Sequence, residues 1–262
     1  MIEYKPEYYI NKLKEEFNLL AIKAEFEAEG STIEELAELS NMCTSSEIPL
    51  TLKIGGPSAQ RDMHEAWQIG SSNILVPMVE SHDAIKTAAS YYTKCSSLYQ
   101  NSICNPSLLI NIETDACMQQ LKRIYDVVIQ PSCPVSGLVI GRSDLSSSMS
   151  IKNAEDDAIT SCIYQILEFF KNTEVKVTVG GSITNNSYEC LKSAASRGLF
   201  AFETRKCTMS TEALHTRKNF QSAVKNALLF EMSWLLYKKE NQERERNMDE
   251  LRIKAIERRL SL

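Results

Sequence analysis

Seven short apolar strands, each followed by a helical pattern, predict an α/β protein built as a (β/α) barrel. Three observations carry this. The strands read as unbroken apolar runs, the pattern of a parallel sheet covered on both faces. They recur at helix-sized intervals from residue 19 to residue 204. No GxGxxG follows the first of them, which argues against an open dinucleotide-binding sheet. A length of 262 residues suits one such barrel.

Residues 1–17 read as an amphipathic helix and LLAIKAEFE (19–27) as the first strand. Ser31 and Glu34 have the spacing of a capping box, which starts a helix over IEELAELS. The remaining strands are IPLTLKI (48–54), NILVPMV (73–79), SLLINIE (107–113), SGLVIG (136–141), VKVTVG (175–180) and LFAFET (199–204). The chain is short ahead of LTLKI, so a missing or shrunken first unit is expected. These parts make a barrel domain over 1–208.

Residues 209–262 read as a C-terminal helical segment. Its first part, 209–237, has an apolar face of Val224, Leu228, Met232, Leu235 and Leu236. KKENQERERN (238–247) has no apolar residue and reads as a solvated helix face or a connector. Met248, Leu251, Ala255, Ile256 and Leu260 then form a second stripe, to be covered by the barrel or by a second subunit.

Twenty-nine Lys and Arg against 34 Asp and Glu give a net charge of -5. A nucleic-acid partner would call for a basic excess, so none is expected. The apolar runs fall short of the roughly 20 residues a membrane span needs. The charged start MIEYKPEYYINKLKEEF does not read as a signal peptide. The eight cysteines form no CxxC and no Cys/His zinc spacing. They read as free thiols in a reducing compartment, and a cytoplasmic enzyme is expected.

Catalytic groups of such barrels stand at the C-terminal ends of the strands. Read in order, those ends offer Glu25 and Glu27, then Lys53 with Gly55 and Gly56, then Glu80. Next come Glu113, Arg142-Ser143-Asp144, Gly180-Gly181-Ser182 and Glu203-Thr204-Arg205-Lys206. Glu113 and Asp144, on neighbouring strands, suit a hard divalent cation whose other positions go to water and substrate. Helix capping, or pairing with Arg142 and Arg205, accounts for them equally well at this point. Lys53 is a point charge able to face an anion or an ion-pair partner. Gly55 and Gly56 let backbone approach a carboxylate or phosphate.

ILVPMVES (74–81), LLINIET (108–114) and GLVIGRSDLSSSM (137–149) stand in the order and at the separations of the HpcH/HpaI aldolase and citrate lyase family, which the chain resembles as a divergent member. The resemblance implies a modified TIM barrel that cleaves or forms a carbon–carbon bond next to a small 2-oxo acid through a metal-stabilised enolate. It implies Mg²⁺ or Mn²⁺ held by Glu113 and Asp144, and a homo-oligomer. The family's strand-end Arg falls on Lys53. The loop at Arg142, Ser143 and Asp144 is expected to face the substrate, Arg205 to give a second anion contact, and Glu80 to support the site. The early His of these aldolases has no counterpart in AEFEAEG, which leaves Glu25 or Glu27 as base. His64 and His82 read as surface or packing residues. Other acyl or enolate chemistry, such as a thioester hydrolase or a phosphoenolpyruvate-type transferase, is the alternative. A non-catalytic small-acid-binding assembly protein is a third reading.

Overall fold

The computed structural model describes residues 5–101 and 104–260. Eight strands close a barrel in chain order: β1 (Leu19–Glu25), β2 (Leu50–Lys53), β3 (Asn73–Val76), β4 (Ser107–Ile112), β5 (Val135–Gly141), β6 (Lys176–Gly180), β7 (Ala201–Glu203) and β8 (Cys207–Ser210). The helices are α1 (Pro6–Phe17), α2 (Ile33–Ser45), α3 (Gln60–Ile69), α4 (His82–Leu98), α5 (Asp115–Gln119), α6 (Leu121–Val128), α7 (Arg142–Ser148), α8 (Asp157–Phe170), α9 (Tyr188–Ala195) and α10 (Arg217–Leu260).

β1 to β7 pair in parallel. β8 runs antiparallel to both neighbours, with Glu203 opposite Thr208 and Ile22 opposite Cys207. The first unit is whole, since β1 leads directly into α2. The shortened unit lies at the other end of the barrel. Thr204–Lys206 turns back without a helix, closed by the Thr204 amide on the Cys207 carbonyl at 2.9 Å. Only an antiparallel pair can be joined so tightly. CTMS was hidden in the sequence because it is short and follows a charged turn.

Ser81 caps α4 through its hydroxyl, 3.2 Å from the Ala84 amide. The capping box of α2 is Thr32 with Glu35, one residue beyond the expected pair. The reason is the Glu27–Gly30 turn, which delays the helix: the Gly30 amide donates to the Glu27 carbonyl at 3.0 Å, with Gly30 at φ +56°.

The C-terminal segment starts as β8 and becomes helix only at Arg217. From there it is one helix through the charge run, not two joined by a connector. Its buried stripe is Phe220, Ala223, Val224, Ala227, Phe230 and Trp234, and it lies along α1. The expected face was displaced around the helix: Val224 belongs to the stripe, but Leu228 and Leu235 are exposed. Past the start of α2, where Lys238 pairs with Glu35 at 3.1 Å, Met248, Leu251 and Ile253 are exposed. Residues 1–4 of the expected first helix, and the side chains of Ala255, Ile256 and Leu260, lie outside those described. Among the described residues no helix is long and apolar enough to cross a membrane.

Candidate active site

The barrel's C-terminal mouth holds a cavity of about 400 Å³ bordered by Glu25, Glu27, Lys53, Gly55, Glu113 and Asp144, with Pro77 and Met78 on one side. Alternation along the strands aims Glu25 and Lys53 to one side. Glu25 ends β1 and Lys53 ends β2, directly opposite each other in the register. Glu113 follows β4, and Asp144 sits in the first turn of α7.

Glu113 is almost fully buried. Its Oε1 accepts the Met78 amide at 2.8 Å and its Oε2 accepts Asn111 Nδ2 at 2.7 Å. Met78 turns that amide inward from a left-handed backbone (φ +54°), a conformation uncommon outside glycine and often found at functional sites. A side chain at Gly141 would put its Cβ 2.9 Å from Glu113 Oε2, so glycine leaves room for the carboxylate. Gly55 does the same for Glu27, whose Oε1 lies 2.3 Å from where a Cβ would be. The Gly55 amide donates to Asp62 at 2.8 Å, which fixes the turn after Lys53.

Burial raises the Glu113 carboxyl above the usual carboxylate range, and the charge of Asp144 adds to the rise. The Met78 amide, Lys53 and Asn111 work against it. Four carboxylates therefore share one cavity with one lysine. Asp144 is exposed.

The other expected site residues stand elsewhere. Arg142 is fully buried, and its guanidinium donates to the carbonyls of Gly181 (2.9 Å) and Ser182 (3.1 Å), to Ser187 and to Glu155. It pins the loop after β6 and does not border the cavity. The Ser143 and Ser182 hydroxyls pair at 2.7 Å. Glu80 is exposed and does not border the cavity. Neither does Gly56, at φ +150° with open space around it. Arg205 is half exposed and pairs with Glu29 at 3.5 Å and Glu231 at 3.8 Å, away from the cavity. His64 meets Tyr99, and His82 meets Asp83 at 3.3 Å.

Several residues at or under the site had no role assigned from the sequence. Asn111 precedes Glu113 by two, so strand alternation alone could have found it. Lys23 precedes Glu25 in the same way, and its Nζ donates to buried Glu203 Oε1 at 2.6 Å. Asp62 and the Met78 amide have no such signal, because a loop's backbone path brings them in.

The donor set fits a divalent metal. Glu113 and Asp144 are hard oxygen donors, and each Glu113 oxygen, having accepted one hydrogen bond, keeps a lone pair. Among the described residues no three His, Cys, Asp or Glu side chains group to hold an ion by themselves. Two carboxylates leave the remaining positions to water and substrate.

Seven parallel strands closed by an eighth, with an acidic cavity at their C-terminal mouth, define a TIM-barrel-like protein. The profile of HpcH/HpaI aldolase/citrate lyase matches residues 53–209, more than half of the chain, and the chain belongs to that family. No curated protein matches it in sequence. A family protein from Burkholderia cenocepacia J2315 superposes with a TM-score of 0.60 at 12% identity, over 94% of this chain and 92% of its own. The citrate synthase SbnG gives 0.59 at 15% identity, over 92% of both chains. A malate synthase of Haloferax volcanii in complex with lead(II) gives 0.58 at 13% identity, over 76% of this chain and 63% of its own. At such identities the likeness is one of fold.

Proposed function

We propose that the protein is a divalent-metal-dependent carbon–carbon lyase, or the reverse condensing enzyme, acting next to the carbonyl of a small 2-oxo acid. The observation that carries this is the cavity where Glu25, Glu27, Glu113 and Asp144 face the single cation Lys53. That is more negative charge than the protein itself neutralises. A bound cation would supply the balance. Family membership supplies the class of chemistry.

Glu113 and Asp144 would hold Mg²⁺ or Mn²⁺. When bound, the ion supplies Lewis-acid stabilisation of negative charge on the substrate's oxygens. Glu25 or Glu27 takes the proton of the substrate hydroxyl, and that carbon–oxygen bond becomes a carbonyl. The electron pair of the breaking carbon–carbon bond passes to the 2-oxo fragment as an enolate. The Lys53 ammonium opposes the charge that develops there, and protonation at carbon completes the step. Condensation runs the same path backwards. Asn111 and the Met78 amide hold the Glu113 carboxylate in one orientation. Gly55 leaves space for Glu27.

The remaining assignments belong to the same proposal: a barrel unit over 1–208, a C-terminal helical segment that packs between subunits of a homo-oligomer, and a cytoplasmic location. The exposed Met248, Leu251 and Ile253 support the oligomer.

No histidine borders the cavity among the described residues, which favours other acyl or enolate chemistry as the second reading. Proton exchange separates the two. With Mg²⁺ or Mn²⁺, a lyase exchanges the methyl protons of pyruvate with deuterium, and a thioester hydrolase does not. Exchange by the wild type that disappears in Glu113→Ala supports the lyase. No exchange with either metal overturns it.

A further inference from the structure

The turn that closes the barrel also reaches the loop that carries Glu27. Lys206 is the last residue before β8, and its carbonyl accepts the Lys23 amide at 2.8 Å, tying the turn to β1. Its side chain, 3% exposed, pairs with the Glu29 carboxylate, 9% exposed. Arg205 Nε approaches the same carboxylate at 3.5 Å and also meets Glu231 of α10. Glu231 and Lys238 are the other charges that act on Lys206. Burial lowers the Lys206 pKa, and Glu29 pulls it back.

Glu29 lies in the segment between β1 and α2. That segment is fastened at its start by the Phe26 amide on the Lys53 carbonyl at 3.2 Å, and in its middle by the Glu27–Gly30 turn. Its side-chain anchor is the pair with Lys206. Glu27 sits between these fastenings with Oε1 against Gly55. A small shift of the segment therefore moves Glu27 into the wall or out of the cavity. A buried ion pair is a poor way to gain stability, because desolvation offsets most of its attraction. It is a good way to fix one position of a loop.

We infer that Lys206 is a positioning residue: through Glu29 it holds the β1–α2 loop so that Glu27 meets the substrate. This rests on the lyase reading only for the role of Glu27. It exists because β8 is antiparallel, since a parallel eighth strand would put a long connection at the rim in place of this tight turn.

The test compares Lys206→Met with Lys206→Arg by two readouts. Amide exchange of residues 26–31 in the free protein needs no substrate. Pyruvate proton exchange reads the chemistry. Lys206→Met is expected to speed loop exchange by about tenfold or more while the barrel strands stay protected. It should cut kcat by about 10²-fold, the usual cost of an ångström's misplacement, with KM changed far less. Lys206→Arg should keep both within about threefold, because it keeps a cation facing Glu29. If Lys206→Met does not fold, Glu29→Gln/Lys206→Met leaves no unpaired buried charge and carries the same expectations. Unchanged loop protection, or a Lys206→Arg protein as impaired as Lys206→Met, overturns the inference. A loosened loop in a chain whose wild type shows no proton exchange sinks the lyase reading and leaves the positioning in place.

Discussion

Two charged clusters share the C-terminal half of the barrel and use the same residue types differently. On the β1–β5 side, Lys53 faces Glu25, Glu27, Glu113 and Asp144 around an open cavity. On the β7–β8 side, Lys23 meets Glu203, and Lys206 meets Glu29, both out of water. The second cluster is closed on itself: every buried cation has its carboxylate. The first has carboxylates to spare. A buried pair is an internal fitting, while uncompensated charge facing a cavity invites a ligand. Residue type at a strand end therefore does not distinguish a catalytic group from a structural one. The balance of charge around it does.

The largest effect should come from removing a spare carboxylate. Asp144→Ala is expected to abolish the thermal shift given by Mn²⁺ with oxalate and to lower pyruvate proton exchange by about 10³-fold or more, the scale of losing a main electrostatic contact. Asp144 is exposed, so the free protein should melt within about 0.5 kcal/mol of wild type. A variant that keeps the metal-dependent shift would move the ligand site away from this cavity.

Lys23→Met should do the reverse and strike stability. It leaves Glu203 buried and unpaired, a loss of about 3–5 kcal/mol in denaturant unfolding. Lys23→Met/Glu203→Leu should recover most of it, since neither charge is then stranded. Burial opposes the Lys23 charge, but Glu203, with Glu25 and Glu29 behind it, outweighs burial and raises the pKa. A raised lysine keeps its contribution through neutral pH and loses it only as pH climbs past the folded pKa. The stability gap between wild type and Lys23→Met should therefore hold or widen as pH rises from 6 to 9, since the stranded Glu203 carboxyl is costlier when ionised, and a gap that closes in that range would contradict the pairing.

The open cluster was largely legible in the sequence, and the closed one was not. Glu25, Glu27, Lys53, Glu113 and Asp144 could be read from their places at strand ends, because apolar runs mark where strands stop. Arg142 and Arg205 stood at strand ends too, yet one is walled in by Gly181, Ser182 and Glu155 and the other serves Glu29 and Glu231. Nothing local tells an arginine which way its side chain will turn. Lys206 and Glu29 are far apart in sequence and meet only because β8 reverses. That reversal was lost with CTMS, four residues without a periodic signal. On α10 the helical period was correct but its phase was not, since Phe220, Phe230 and Trp234 set the buried face against α1.

The pH response of the open cluster gives a sharper, smaller test. At the proposed site metal binding would need ionised Glu113, and burial with the charge of Asp144 raises that carboxyl. Protons therefore compete with metal at a higher pH than at an ordinary glutamate. Apparent Mn²⁺ affinity should fall by up to about tenfold per pH unit once below that raised pKa. The free protein should move the opposite way. A carboxyl raised on folding costs stability above its folded pKa, and that cost is relieved as pH falls toward the unfolded value. From pH 7 to 4.5, Mn²⁺ affinity should fall while the apo stability of wild type relative to Glu113→Gln rises. Parallel trends would place the metal on other groups.

Arg205→Ala should have the least effect. Its guanidinium is half exposed, and both its partners lie at the long end of ion-pair distance. Exposed pairs of this kind contribute about 0–1 kcal/mol, and less in salt. Glu29 keeps Lys206 when Arg205 is gone, so the β1–α2 loop loses its weaker partner only. Proton exchange should stay within about twofold of wild type, and the melting temperature within a few degrees. A loss of tenfold or more would mean that Arg205 leaves Glu231 and turns into the cavity when substrate is bound. Arg205 would in that case belong to the open cluster after all, and the division between the two sides of the rim would not survive substrate binding.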